Sequence, residues 1–474
     1  MSTTGNSPGW GLAAAFLSAA ALWRGTGLTP VWWLTWLAAW PVLAFGLRAS
    51  PLAAGAAAFT AWAGGGLNLW HYYRATLGTP LPVVLVAVIV PAAAFAAAAV
   101  LMRALAGRGH HLLATLALPA GWTAFEHAVS RASPHGTFGS LAYTQMDCLP
   151  VVQVAALLGT SGITFLLLLV PSALAMATLP EATRARARIA WATAAVVALV
   201  LVYGEWRLLG EGPARPSVTV GLLATDRPEQ PVSVETDEGR RVIAQYARAS
   251  EGLATAEVIV LPETVLRVSD SDVAEVPGRF AGLAEGRGVV VLGADRLGAG
   301  GEANAALAFQ PGRAQPTVYA KHHLLLPFEA RFQPGTGLSV LDTRAGLLGL
   351  AICKDMDFPE LGRAYAERGA SLLLVPAWDF TSDGWLHSRM AVLRGVEGGF
   401  AVARAARGGR LTISDDRGRV LAEAASAEAP VASAVGPVRL GRAGTPYATL
   451  GDWFGWLSCG ALALALGKAR RWRQ

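Results

Sequence analysis

The feature that most restricts this chain is a series of apolar runs of membrane-span length, crowded into its first two hundred residues. A bilayer core offers the backbone no hydrogen-bond partners. A segment that crosses it must be a helix of about 20 mostly apolar residues or part of a closed barrel. Seven runs fit the helical option: Trp10–Trp23, Leu28–Leu47, Leu52–Trp70, Leu81–Met102, Leu112–Val129, Val151–Met176 and Ile189–Tyr203. An eighth is Leu450–Leu466. Only 15 % of the 474 residues are charged, against roughly 25 % in soluble domains. Those charges concentrate between Arg215 and Arg442. The expected organisation is a multi-span α-helical membrane domain over 1–210, a soluble domain over 215–445, and a last membrane helix with a basic tail over 448–474.

Basic residues orient these spans. With a cytoplasmic N-terminus, the inner connections carry Arg48, Arg103, Arg108, Arg184, Arg186, Arg188 and the tail from Lys468 to Arg473. The outer connections carry only Arg24, Arg74 and Arg131. Lys and Arg accumulate on the cytoplasmic side of membrane proteins, so the soluble domain is expected on the outer, periplasmic face of the cytoplasmic membrane. The formal charge of +6 is used up in this pattern. No stretch mixes bases and aromatics as a nucleic-acid groove does, and nucleic acid is not an expected partner. Three cysteines, Cys148, Cys353 and Cys459, do not make a disulfide framework.

The soluble part alternates strand and helix signals. Val218–Leu223, Val258–Leu261, Val289–Leu292, Ala303–Phe309, Leu347–Ile352 and Leu372–Val375 are apolar runs of strand length, as expected for strands covered on both faces. Gly239–Leu253, Phe358–Arg368 and Leu386–Gly395 read as helices between them. The pattern predicts an α/β domain with layered sheets and helices outside.

Three of these runs end in chemistry. Glu263 follows Leu261-Pro262, Lys321 follows Tyr319-Ala320 and has Glu329 eight residues on, and Cys353 follows Ala351-Ile352 before a predicted helix start. Ligand sites of α/β sheets favour such strand ends. A strand-to-helix corner lifts a nucleophile above the sheet, and a helix N-terminus favours a thiolate. A thiol needs a base to attack a carbonyl; Glu263 serves if an apolar pocket raises its pKa. Lys321 stabilises the thiolate and then the oxyanion. The product is a thioester, from which a second nucleophile takes the acyl group. Singly, each residue has a plain structural explanation; the Glu–Lys–Cys order, each at the end of an apolar run, favours catalysis.

These three segments resemble the signatures of the nitrilase, or carbon–nitrogen hydrolase, superfamily, and within it the apolipoprotein N-acyltransferase family. The run from Lys321 to Glu329 (Lys-His-His-Leu-Leu-Leu-Pro-Phe-Glu) is similar to that family's lysine motif, with Pro-Phe displaced by one residue and the glutamate in register. The Gly139–Gln145 loop and the Gly159–Leu167 run resemble its membrane part. The resemblance implies a nitrilase-like α-β-β-α sandwich carrying a Glu263–Lys321–Cys353 centre without a cofactor or metal, with Glu329 and Asp355 in support. It implies a monomer that takes an acyl chain from a phospholipid and passes it to a diacylated apolipoprotein. Phe328, Trp378 and Trp385 would line the substrate path.

The chain departs from the family pattern after the cysteine, where Lys354 and Asp355 replace a tyrosine and a glutamate. The Asp226–Gly239 loop lacks the usual tryptophan, and Arg407-Gly408-Gly409 replaces an Asn-Gly turn. His322, His323 and His387 have no zinc-type spacing. Two other functions fit the same residues: a membrane-anchored amidase with water as acceptor, and a non-catalytic relative that binds lipid or a partner.

Overall fold

Ala/Leu/Val-rich sequence without a period of two folds as helices in the computed structural model, which describes residues 8–210, 216–225, 230–270 and 277–470. The chain divides into two units. One takes the sequence up to Ser133, Thr137–Leu209 and the segment from Asp452; the other takes Pro134–Gly136 and Gly210–Gly451. Residue 215, residues 226–229 of the Asp226–Gly239 loop and tail residues 471–474 lie outside the described residues.

The first unit is helical. Its long helices are Pro8–Gly25, Pro51–Gly66, Leu81–Ala106, His111–Ala132, Ala155–Ala177, Thr183–Leu209 and Trp453–Arg470. Among the described residues three segments, Leu81–Ala106, Ala155–Ala177 and Pro180–Leu209, are long and apolar enough to cross a membrane. The expected span Leu28–Leu47 is not one helix. It breaks into Trp32–Leu34, Thr35–Ala38 and Trp40–Gly46, and Pro41 sits in the first turn of the last piece, where its missing N–H is tolerated. The expected span Val151–Met176 also breaks. Leu149–Val152 is a separate turn, and Gly159 sits at φ 65° inside the following helix, a conformation that favours glycine.

One polar residue organises this unit. Glu126, on His111–Ala132, accepts hydrogen bonds from Trp122 Nε1 (2.8 Å), Leu141 N (3.0 Å), Ser140 Oγ (2.7 Å) and Thr164 Oγ1 (2.7 Å). Every donor faces a carboxylate oxygen, so the buried acid is satisfied. It fastens the Gly139–Gln145 loop to two helices.

The second unit is the α-β-β-α sandwich, and side-chain alternation builds it. One sheet has the order β14-β1-β3-β5-β4-β2, with β6 on β5 and β7 on β6. Its strands are β1 Ser217–Thr225, β2 Val232–Ser233, β3 Val258–Val260, β4 Leu266–Ser269, β5 Val289–Gly298, β6 Gly301–Phe309, β7 Thr317–Ala320 and β14 Val431–Arg439. The other sheet runs β13-β12-β11-β10-β9-β8. It comprises β8 Val340–Thr343, β9 Gly346–Leu350, β10 Leu372–Trp378, β11 Ala401–Arg407, β12 Arg410–Ser414 and β13 Val420–Ala425.

Because successive side chains point to opposite faces, each continuous apolar run feeds two cores. Val258 and Val260 of β3, Val289 and Val291 of β5, and Leu372 and Leu374 of β10 meet between the sheets. Ile259, Val290 and Leu292 face outward onto Val242 and Tyr246 of helix Asp237–Glu251 and Phe280 of helix Pro277–Arg287. Leu373 and Val375 face outward onto Leu361 and Tyr365 of helix Pro359–Glu367 and Ala391 of helix Gly384–Gly398. Each fully buried Val or Leu contributes about 1.5–3 kcal/mol, which is why these strands tolerate no polar face.

This topology sets the site. Parallel β9 and β10 end on the same side. Glu263 N, just past β3, donates to Ala377 O at the end of β10 (3.3 Å). That bond joins the two sheets where their strands end.

Candidate active site

Glu263, Lys321 and Glu329 come together with a fourth residue that no motif announces. Lys321 Nζ donates to Glu263 Oε1 (2.7 Å) and to Glu329 Oε1 and Oε2 (3.0 and 2.8 Å). Asn304, in the middle of β6, donates through Nδ2 to Glu263 Oε1 and to Glu329 Oε1, both at 2.6 Å. Carboxylates only accept, so the amide must turn its NH₂ toward them. The Asn304 backbone carbonyl also accepts from Lys321 N (2.8 Å). Glu329 is steadied in turn by Leu325 N on Oε2 (2.6 Å). The Lys321 side chain is 3 % exposed, so its ammonium stays only because two carboxylates surround it.

Burial pushes the Glu263 carboxyl above the usual carboxylate range, Glu329 adds to the rise, and the Lys321 ammonium opposes it. Lys321 itself is held above the ordinary lysine range, its loss of hydration outweighed by Glu263, Cys353 and Glu329. The ammonium is therefore a fixed charge at neutral pH, and Glu263 is the group able to exchange a proton.

Cys353 stands at the corner between β9 and a 3-10 turn, Cys353–Asp357, at φ +43°. A non-glycine residue held there stores roughly 1–3 kcal/mol and persists only where its surroundings fix it. Its Sγ is 3.5 Å from Trp378 O at the end of β10. The sequence suggests a thiolate favoured by a helix N-terminus; the structure differs. The next α-helix begins only at Pro359, beyond the first-turn reach of its dipole. Burial pushes the Cys353 thiol well up, Glu263 adds to the rise, and Lys321 and Arg404 oppose it. The resting group is a neutral thiol that needs its base at the moment of attack.

Asp355 acts on the backbone around the lysine rather than on its ammonium. Oδ1 accepts from His322 N (3.1 Å) and His323 N (2.9 Å); Oδ2 accepts from Tyr319 Oη (2.7 Å) and Ile352 N (3.0 Å). One buried carboxylate thus ties the lysine segment to the cysteine corner. His323 is stacked on Phe358, with centroids 3.6 Å apart, while His387 lies between Asp357 and Asp383 (3.7 and 3.4 Å). His322 and His323 share Asp355 and bring their ring centres within 6.2 Å, whereas His387 meets a different pair of carboxylates.

Arg404 and Asp379 form a buried two-bond pair behind the cysteine (2.8 and 2.6 Å). Trp378 and Phe328 are exposed at 38 % and 49 %. The Arg407 guanidinium lies 4.1 Å from the Trp378 ring centre, and Phe328 meets Phe380 (5.4 Å). Trp385 has Arg389 over its ring (5.4 Å) rather than a residue of the Glu–Lys–Cys set.

Asn304→Ala is expected to lower kcat/KM about 10²-fold, because misplacing a catalytic group by even 1 Å costs that much. A variant within twofold of wild type would show that Lys321 alone fixes both carboxylates.

An α-β-β-α sandwich with this constellation at its strand ends defines a domain of the carbon–nitrogen hydrolase class, and residues 229–434 match the Carbon-nitrogen hydrolase family model. Residues 13–174 match the model of the Apolipoprotein N-acyltransferase N-terminal domain. The apolipoprotein N-acyltransferase of Geobacter metallireducens is 28 % identical, over 77 % of this chain and 75 % of its own. That of Gloeobacter violaceus is 29 % identical, over 69 % of this chain and 66 % of its own. The omega-amidase NIT2 of Homo sapiens is 33 % identical over 27 % of this chain and 54 % of its own. Both parts of the chain are thus similar to the apolipoprotein N-acyltransferases.

Proposed function

We propose that this protein moves an acyl chain from a phospholipid, through a thioester on Cys353, to the α-amino group of the N-terminal diacylglyceryl-cysteine of a lipoprotein. The observation that carries this reading is the buried Glu263–Lys321–Glu329 cluster beside a strained cysteine, in a chain whose other part is helical and matches the family's N-terminal domain. Glu263 takes the thiol proton as Sγ attacks the ester carbonyl. Lys321 stabilises the oxyanion. The carbon–oxygen bond to the glycerol breaks, and Glu263 returns the proton to the leaving oxygen. A neutral amine then attacks the thioester, the carbon–sulfur bond breaks, and its proton passes through Glu263 to the cysteine sulfur.

A membrane frame suits two lipid-bearing substrates. Acyl chains leaving the bilayer would cost about 0.8 kcal/mol per CH₂. The asymmetry of basic residues supports eight spans, cytoplasmic termini and a catalytic domain on the periplasmic face of the inner membrane. Phe328 and Trp378, apolar and exposed, are the residues proposed to meet the acyl chain. The working unit is proposed to be a monomer.

Incubating the purified full chain with phospholipid and analysing the Cys353 peptide by mass spectrometry tests this reading. A hydroxylamine-labile acyl adduct on Cys353, released by an added lipopeptide amine as the N-acylated product, is expected. The local likeness to an omega-amidase keeps hydrolysis as a second reading. Steady release of free acid from a small amide, with no transfer to the amine, would favour it and sink the acyltransferase reading.

A further inference from the structure

The 353–357 turn is gripped from two directions, and Asp355 accounts for only one. On the other side Lys354, at a position that departs from the family pattern, sends a buried side chain to His135. Nζ lies 3.2 Å from His135 Nδ1, 219 residues away in sequence, and 3.6 Å from Asp357 Oδ2. An ammonium only donates, so His135 accepts through Nδ1 and carries its own proton on Nε2. Burial, then the Lys354 charge, hold the His135 pKa below the ordinary histidine range, with Asp357 opposing. The backbone makes a second, independent contact. Gly136 is at φ +52°, and a Cβ there would lie 2.5 Å from Asp357 O. Pro134–Gly136 belongs to the same unit as the site. Asp357 continues the chain of charges to His387, which meets Asp383, and Arg404 also acts on Asp357.

We propose that Pro134–Gly136 is a positioning strap for the nucleophile, locked to the 353–357 turn by the Lys354–His135 hydrogen bond and the Gly136–Asp357 approach, with Lys354 as the positioning residue for Cys353. Cys353 sits in a backbone conformation that does not hold itself, and this strap supplies the restraint opposite Asp355. Next to Cys353 in the chain, Lys354 adds a further cation to Lys321 and Arg404, partly offset by Asp357. The inference rests on Cys353 being the nucleophile of the proposed transfer.

The test uses the full chain in detergent and follows alkylation of Cys353 by iodoacetamide. The Cys353 peptide is quantified by mass spectrometry, so Cys148 and Cys459 do not contribute. Lys354→Met, His135→Ala and Gly136→Ala are each expected to slow alkylation about tenfold or more, because the reacting atom is no longer held in place. Lys354→Met should also move the midpoint of the pH–rate profile upward, since a cation near the thiolate is lost; a packing role alone would leave that midpoint unchanged. Lys354→Arg should recover the wild-type rate to within about threefold, as a guanidinium keeps charge and donors. Should Lys354→Met fail to fold, Lys354→Met with Asp357→Asn leaves no buried unpaired carboxylate and should still react slowly. Wild-type rates and midpoint in the folded double variant and in Gly136→Ala would overturn the proposal, as would Lys354→Arg reacting no faster than Lys354→Met. Alkylation needs no lipid. A wild type that alkylates as expected yet never forms an acyl adduct would sink the acyl-transfer reading and leave the strap standing.

Discussion

Cys353→Ala is expected to lower acyl transfer by at least about 10⁴-fold, more than 5 kcal/mol of transition-state free energy, while leaving the thermal midpoint within a few degrees of wild type. Both halves follow from the geometry. The sulfur is the only atom of the corner that can form the thioester, and removing a nucleophile that acts within a unit costs nearly all of that unit's contribution. The side chain itself carries little structure. Among the described residues it makes one hydrogen bond, a long one, 3.5 Å to Trp378 O, while Asp355 and Lys354 fasten the turn on either side. Transfer from phospholipid to a lipopeptide amine, measured beside a thermal melt, checks both. Residual transfer above about 1 % of wild type would mean that another group accepts the acyl chain.

Lys321→Met is the second large effect, and it falls on stability as well as on activity. Without the ammonium, Glu263 and Glu329 share Asn304 with no cation between them. Breaking a buried pair by removing one partner costs about 3–5 kcal/mol, and losing an oxyanion donor costs a further 10²–10³-fold or so in rate. The loss of stability should depend on pH with a definite sign. Burial already raises the Glu263 pKa, and Lys321 is the main influence opposing the rise. Removing it raises that pKa further. The unfolded chain then ionises before the folded one, so the folded state loses stability as pH rises above the ordinary glutamate value. The melting deficit of Lys321→Met should therefore be smaller near pH 5 than near pH 8. Adding Glu329→Gln removes one of the two stranded charges and should restore part of the stability but none of the activity. A deficit of equal size at both pH values would show that Glu263 does not carry the raised pKa.

The proposed catalytic residues stand out in the sequence because each closes a local apolar run. Val258–Leu261, Tyr319-Ala320 and Ala351-Ile352 are short-range patterns, and a reactive side chain directly after them stands out against their hydrophobicity. Most helices and central strands of the sandwich were legible for the same reason. The edges were not. β14, Val431–Arg439, alternates buried and exposed small residues with too little side-chain volume to mark a strand. The break inside the second proposed span was not legible, because Leu28–Leu47 has the composition of one helix but folds as three short ones.

Asn304, Glu126 and His135 carried no signal. Each is a polar residue in an ordinary local setting whose importance comes from partners that the fold delivers: Glu263 and Glu329 for Asn304, Ser140 and Thr164 for Glu126, Lys354 for His135. The protonation of the site belongs with them. A cysteine before a predicted helix reads as a thiolate, but burial and the Glu263 carboxylate hold it as a thiol.

The sequence by itself determined the division into a helical and an α/β part and the identity and order of Glu263, Lys321 and Cys353. Hydrophobic period and the residue that ends a strand are properties of neighbours along the chain. Only the tertiary structure decided that two carboxylates share one buried ammonium and one amide NH₂, that Asp355 grips backbone rather than lysine, and that a segment 219 residues away meets the Cys353 turn. Those are contacts between distant positions. Their energies depend on burial and on charges a few ångströms away, which exist only once the two sheets have closed on each other.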